Sequence, residues 1–140
     1  AFVSLKRIAE AMDVDLSYFF EPPKSHRGMI VKSYEQEVFK MENSKFIYYN
    51  LGSDIPDKKM DPMFVTILPT SNPDELVPYT HEGEEFIYVL EGIFTLYLND
   101  STYELYPGDS AHIPSTIPHN WGNLSNKLVK ILAVSSPSMF

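Results

Sequence analysis

From Gly28 onward the chain is broken up too often to sustain a helix. The runs Met29-Val31, Lys45-Tyr49, Met63-Leu68, Glu85-Leu90, Ile93-Leu98, Thr102-Tyr106, Ser110-Ile113 and Leu128-Val134 are rich in Val, Ile, Phe and Tyr. Turn-forming pairs cut between them: Gly52-Ser53, Asp61-Pro62, Asn72-Pro73, Asn99-Asp100 and Pro107-Gly108, with Asn123 further on. Segments of this length and composition form strands, and many short strands without intervening helices pack as a sandwich or a closed barrel. Asn99-Asp100 separates two alternating runs and suits a tight hairpin, because both residue types tolerate left-handed backbone angles. The expected class is all-β.

The first twenty residues follow a different rule. Leu5, Ile8, Ala9 and Met12 keep the spacing of one helical face, and Ser4 can cap its start. Asp15 can cap a second short turn through Leu16, Tyr18, Phe19 and Phe20 before Pro22-Pro23 stops it. The expected division is a two-helix segment at 1–20, a linker at 21–27 and a β domain at 28–140.

Composition narrows the function. Apolar residues make up 44% of the 140, enough for one sizeable core. The longest apolar run, Phe86 to Leu90, is far short of the roughly 20 residues a membrane helix needs. The absence of cysteine excludes disulfides, thiolate metal sites and a cysteine nucleophile. With no secretory segment at the front, a cytoplasmic location is expected. The net charge is −8, and no Lys or Arg falls between Met60 and Asn126. Such a surface repels phosphate backbones, so this stretch is a poor nucleic-acid partner. It also predicts a cationic or neutral ligand rather than a phosphorylated one.

His81 and Glu85 lie four apart, and in an extended segment Tyr79, His81, Gly83 and Glu85 share one face. His119 sits in the Pro-punctuated stretch Pro118-His119-Asn120. Two imidazoles and a carboxylate can hold a single divalent transition metal while leaving positions open; Fe, Zn, Ni and Mn are all admissible, and so is copper. On residue types alone the same three side chains can equally be a hydrogen-bonded group inside a barrel.

The spacing resembles the cupin superfamily. In its first motif, G-x5-H-x-H-x3-E-x6-G, His81, Glu85 and Gly92 fall in register. In its second, G-x5-P-x-G-x2-H-x3-N, Gly108, Pro114, His119 and Asn123 do so, with Ile93 to Pro107 between the two. The resemblance implies a cupin-type (jelly-roll) β-barrel with His81, Glu85 and His119 as its metal ligands. The family's first histidine is Tyr79 here, its opening glycine Pro73 and its central second-motif glycine Thr116. Tyr79 then supplies a phenolate or a hydrogen bond. His112, on the strand after the Gly108 turn, is a further candidate for the ligand pocket, and Trp121 either stacks on a ligand or packs as core. Phe86, Tyr88 and Leu90 have the opposite parity to Glu85 and should face away from the interior.

Residues 5–20 are similar to the closing helices of the phage-repressor-like helix-turn-helix family. The two resemblances together imply the small-molecule sensing and dimerisation domain of a helix-turn-helix transcriptional regulator. In that reading the chain is a homodimer, and it meets DNA only through helices that precede Ala1. The rival is a mononuclear metal-dependent cupin oxygenase or epoxidase using the same three ligands. Its acidic substrates need a cation; the pocket region offers none, and Lys24, Arg27 or Lys32 could reach in from elsewhere. A third reading is a barrel kept only for dimerisation.

Overall fold

The computed structural model describes Arg7 and residues 28–42, 45–70 and 77–139. The two-helix segment expected at 1–20 (Arg7 apart) and the linker at 21–27 lie outside the described residues. Nine strands follow one short 3-10 turn at Ser33–Glu35: β1 (Glu37–Glu42), β2 (Phe46–Asn50), β3 (Asp61–Ile67), β4 (Glu84–Glu91), β5 (Phe94–Leu98), β6 (Ser101–Leu105), β7 (Ser110–Pro114), β8 (His119–Gly122) and β9 (Val129–Ser136).

They form two antiparallel sheets, one of six strands in the order β1-β2-β3-β9-β4-β7 and one of three, β6-β5-β8. Alternation decides which side chains face inward. Met63, Val65 and Ile67 of β3, Ile87 and Val89 of β4, and Val129, Ile131 and Ala133 of β9 are buried, and they meet Phe94, Leu96 and Trp121 of the small sheet. This is the double-sheet jelly-roll architecture the sequence implied. Among the described residues no helix is long and apolar enough to cross a membrane.

Several turns have local causes. Leu98 pairs with Ser101 across the two-residue loop Asn99-Asp100, with Asn99 at φ +53°. Gly108 (φ +93°) turns the chain between β6 and β7, where the Asp109 carboxylate accepts from the Tyr106 N–H at 2.8 Å. Asn123 is fully buried. Its amide donates to Ile67 O (3.0 Å) and Lys127 O (2.7 Å) and its oxygen accepts from the Ser125 N–H, so it pins the loop before β9 to β3.

Two strands were not legible in the sequence and one expected strand is absent. β1 is an edge strand with five of its six positions exposed, so it has no clean alternation to read. β8 has only four residues and follows Pro118 directly. Met29-Val31 is irregular rather than a strand, and Met29 and Ile30 are 87% and 75% exposed: with no pairing partner among the described residues, β-prone residues do not make a strand.

Candidate metal centre

Glu85 is the second residue of β4 in the large sheet, and His119 opens β8 in the small one, so the site spans the two layers. Tyr79 and His119 form an isolated antiparallel bridge through reciprocal N–H···O bonds of 3.0 and 3.1 Å. From Tyr79 to Glu85 the chain is not extended throughout as expected: Gly83 turns it at φ +98°, where a Cβ would collide with Ser136 O. The Ser115 backbone holds both sides of this turn, accepting from the His81 N–H (3.0 Å) and donating to Gly83 O (2.8 Å). The turn folds His81 back over Glu85.

His81, Glu85 and His119 each offer one atom to a group in which all three lie within 4.8 Å of one another. His119 Nδ1 is 2.7 Å from Ile117 O and His81 Nδ1 is 3.0 Å from Glu82 O. A carbonyl can only accept, so in the neutral rings both protons sit on Nδ1 and both Nε2 lone pairs are free. Those two Nε2 atoms face Glu85, at 3.6 Å from Oε2 and 3.1 Å from Oε1. Glu85 is 3% and His119 0% exposed, and among the described residues neither Glu85 Oε1 nor His119 Nε2 has a hydrogen-bond partner of good geometry. In the tautomer these carbonyls select, two ring lone pairs and a carboxylate converge on one point, an arrangement that a cation would satisfy. The donor set and the orphaned atoms both fit a divalent transition metal, with His81 left partly open to the cavity.

Burial pushes the Glu85 carboxyl above the usual carboxylate range. The neighbouring His119 and His81, and the Trp121 N–H that faces the carboxylate, only partly offset this. Tyr79 lies against both ligand rings, 5.9 Å from His81 in a stacked arrangement and 4.7 Å from His119. Burial and the Glu85 charge push its hydroxyl up to about 12, so near neutral pH it is a hydrogen-bond donor and not a phenolate. Trp121 packs in the core against Phe94, and it also lines the cavity.

The cavity above the centre has a volume of about 300 Å³ and is lined by Tyr48, Met63, Tyr79, His81, Glu85 and Trp121, with Lys40 and Glu42 on its β1 side. Lys40 is the residue that sequence reasoning missed. Strict alternation would send Phe39 in and Lys40 out. The β1–β2 register slips between Val38 and Lys40, so that Phe39 keeps its place against the core while Lys40, half exposed, stands opposite Tyr48 at the edge of the cavity. Bulges re-aim side chains in this way beside functional sites. Lys40 Nζ lies 3.5 Å from Glu42 and 5.2 Å from the centre of the Tyr48 ring, and the Tyr48 hydroxyl donates to Glu42 at 3.2 Å. The Tyr48 hydroxyl is raised well above its ordinary range by burial and then by Glu42. The expectation of a pocket without a basic residue is therefore corrected. Lys24 and Arg27 lie outside the described residues, and Lys32 is exposed and not among those lining the cavity.

His112 is also corrected. In β7 only Ile113 is buried, which puts His112 on the opposite face, its side chain 62% exposed and 3.4 Å from Glu84. Phe86, Tyr88 and Leu90 point outward as expected.

Two packed antiparallel sheets with a two-histidine, one-glutamate centre between them define a β-barrel protein built around a metal-type site. Residues 63–135, a little over half of the chain, match the cupin domain family, and the chain belongs to that family. No curated protein matches the sequence. Among solved structures, hydroxypropylphosphonic acid epoxidase from S. wedmorenis aligns over 96% of this chain and 74% of its own at 24% identity (TM-score 0.64). A structure of Fe(II) HppE aligns over the same share of this chain. An RmlC-like cupin from Shewanella frigidimarina aligns over 81% and 95% at 15% identity (TM-score 0.66). The cupin domain of an XRE family transcriptional regulator from Enterobacter cloacae aligns over 67% and 98% at 20% identity (TM-score 0.55). At these identities the likeness is one of fold.

Proposed function

We propose that this chain is the effector-sensing domain of a helix-turn-helix transcriptional regulator, and that a single divalent metal at His81, Glu85 and His119 forms part of the effector site. One observation carries the reading: a cation-seeking centre lies in the same small cavity as a rim offering one ammonium and one carboxylate. The metal, when bound, would act as a Lewis acid toward an oxygen of the ligand. Asp61 also lines the cavity and is paired with Lys58 at 3.8 Å, so with Lys40, Lys58, Glu42, Asp61 and Glu85 charged a divalent ion leaves this region at one net positive charge. A small monoanion is then the favoured ligand, in place of the cationic or neutral effector expected from composition. Lys40 binds its carboxylate, Tyr79 and Tyr48 stay protonated as donors, and Glu42 receives an ammonium or hydroxyl. An amino acid or small hydroxy acid meets all of these demands, and a cavity of this size sits at the small end of ligand sites.

The resemblance of residues 5–20 to the closing helices of repressor domains supports a regulator, as does a fold shared with nearly the whole length of a regulator's cupin domain. An effector acts only by binding one arrangement of the protein better than another. Native mass spectrometry of the freshly purified chain, alone and with amino and hydroxy acids, tests the reading. Metal-dependent, stoichiometric binding with the ligand recovered unchanged is expected. Repeated conversion of the ligand would overturn sensing.

That outcome would favour the second reading, a metal-dependent oxygenase or epoxidase. Lys40 supports it by supplying the cation an acidic substrate needs, and the fold shared with an epoxidase over 96% of this chain points the same way.

A further inference from the structure

The outward face of the six-stranded sheet is apolar across five strands. Register aligns Val38, Tyr49, Phe64, Leu132 and Tyr88 in one row, and Pro62, Val134 and Phe86 in the next. Phe86, Tyr88 and Val38 remain 36%, 38% and 50% exposed, and the other five are half-buried. Exposed to that degree, the eight side chains present on the order of 400 Å². That lies within the range of a monomer's largest and often functional patch, and it is about half of the roughly 800 Å² each partner gives to a stable dimer, so charge pairing must carry part of the association.

We infer that this face joins two copies of the chain about a two-fold axis running parallel to the strands between β4 and β9. The pattern of these two strands is self-complementary. Phe86 stands beside Val134, Tyr88 beside Leu132, and Glu91 beside Lys130, the last pair 3.4 Å apart. An axis between the strands exchanges the columns, laying Phe86 on the partner's Val134, Tyr88 on the partner's Leu132 and Lys130 on the partner's Glu91. Large meets smaller and plus meets minus, twice over, as an isologous interface requires. Two sheets stacked about 10 Å apart accommodate this arrangement.

The inference is independent of the sensing proposal, since none of these side chains lines the cavity. Sedimentation velocity on the full chain tests it, with a folded far-UV spectrum required of each variant. Wild type should sediment at twice 16.0 kDa. Tyr88→Glu should raise the dissociation constant about 30-fold or more, the effect of losing a central anchor. Glu91→Lys should weaken the dimer by setting like charges together, and Lys130→Glu added to it should restore the dimer. A monomeric wild type, as when residues 1–27 cover the face instead, overturns the inference. So does a dimer indifferent to Tyr88→Glu, or a charge-swapped pair that fails to recover. Metal binding should be the same in all variants, so a failure of the metal centre stays distinguishable.

Discussion

Glu85→Gln separates a metal centre from a structural ion pair, because the two make opposite demands on the metal-free protein. The substitution keeps the shape and removes the charge, and its amide can donate to the His119 Nε2 lone pair that now lacks a partner. Burial outweighs the attraction of the two histidines for the Glu85 carboxylate, so its raised folded-state pKa makes the charged form a cost to the metal-free fold. The sign follows: that cost is absent below the ordinary carboxylate value and is fully felt once pH has risen through the raised one. With both histidines neutral, removing an uncompensated buried charge relieves a desolvation penalty of up to about 4 kcal/mol, whereas breaking a charged pair would cost about 3–5 kcal/mol. For 140 residues an unfolding entropy of about 2.1 cal/mol/K per residue converts each kcal/mol into about 3.4 °C. Metal-free Glu85→Gln should therefore melt level with wild type or up to about 14 °C above it at neutral pH, with the gap closing on acidification. Wild type should gain about 2.7 kcal/mol, or about 9 °C, at free metal a hundredfold over Kd, and the variant little of that. Scanning calorimetry on chelated and metal-titrated samples reads all four states. A metal-free variant that melts well below wild type would refute the reasoning, since Glu85 would then be a structural partner of His119. An undiminished metal shift in the variant would refute it too.

Lys40→Ala should weaken binding of a small carboxylate by about 10-fold or more by calorimetric titration while leaving melting nearly unchanged, because its bridge to Glu42 is half exposed. Gly83→Ala forces a Cβ into Ser136 O at a left-handed φ, so a loss of about 3 kcal/mol or more is expected in denaturant titration, together with loss of metal affinity. Asn123→Ala strips the buried Ile67 carbonyl and the part-buried Lys127 carbonyl of their donor and should cost about 1–3 kcal/mol by the same measurement, with metal affinity per folded molecule retained. Metal affinity followed by competition with a chromophoric chelator should fall on acidification, and the raised Glu85 carboxyl should start that fall above the usual carboxylate range.

What could be read from the sequence was whatever period and spacing encode. Seven of the nine strands, the Asn99-Asp100 hairpin and the outward stripe of Phe86, Tyr88 and Leu90 all follow from alternation and turn chemistry. The motif spacing brought His81, Glu85 and His119 into one group because the turns between them are short and fixed by Gly83 and Gly108. What escaped were departures from period. A one-residue slip in β1 carried Lys40 to the edge of the cavity, and nothing local in Glu37–Glu42 announces it. His112 was assigned to the pocket from its proximity to a motif glycine, but the buried Ile113 next to it fixes the parity the other way. Asn123 matched a motif position, and its role proved to be anchoring a loop rather than touching the site.

The slip in β1 also divides labour within the cavity. The metal-type ligands are fixed by β4, β8 and the Gly83 turn, all tied to the interior, whereas Lys40 and Glu42 ride on the outermost strand of the sheet. Exchanging residues on that border strand leaves the interior untouched, so under the proposed function descendants of this scaffold would be retuned to new small molecules by editing one short segment while keeping the same three ligand side chains.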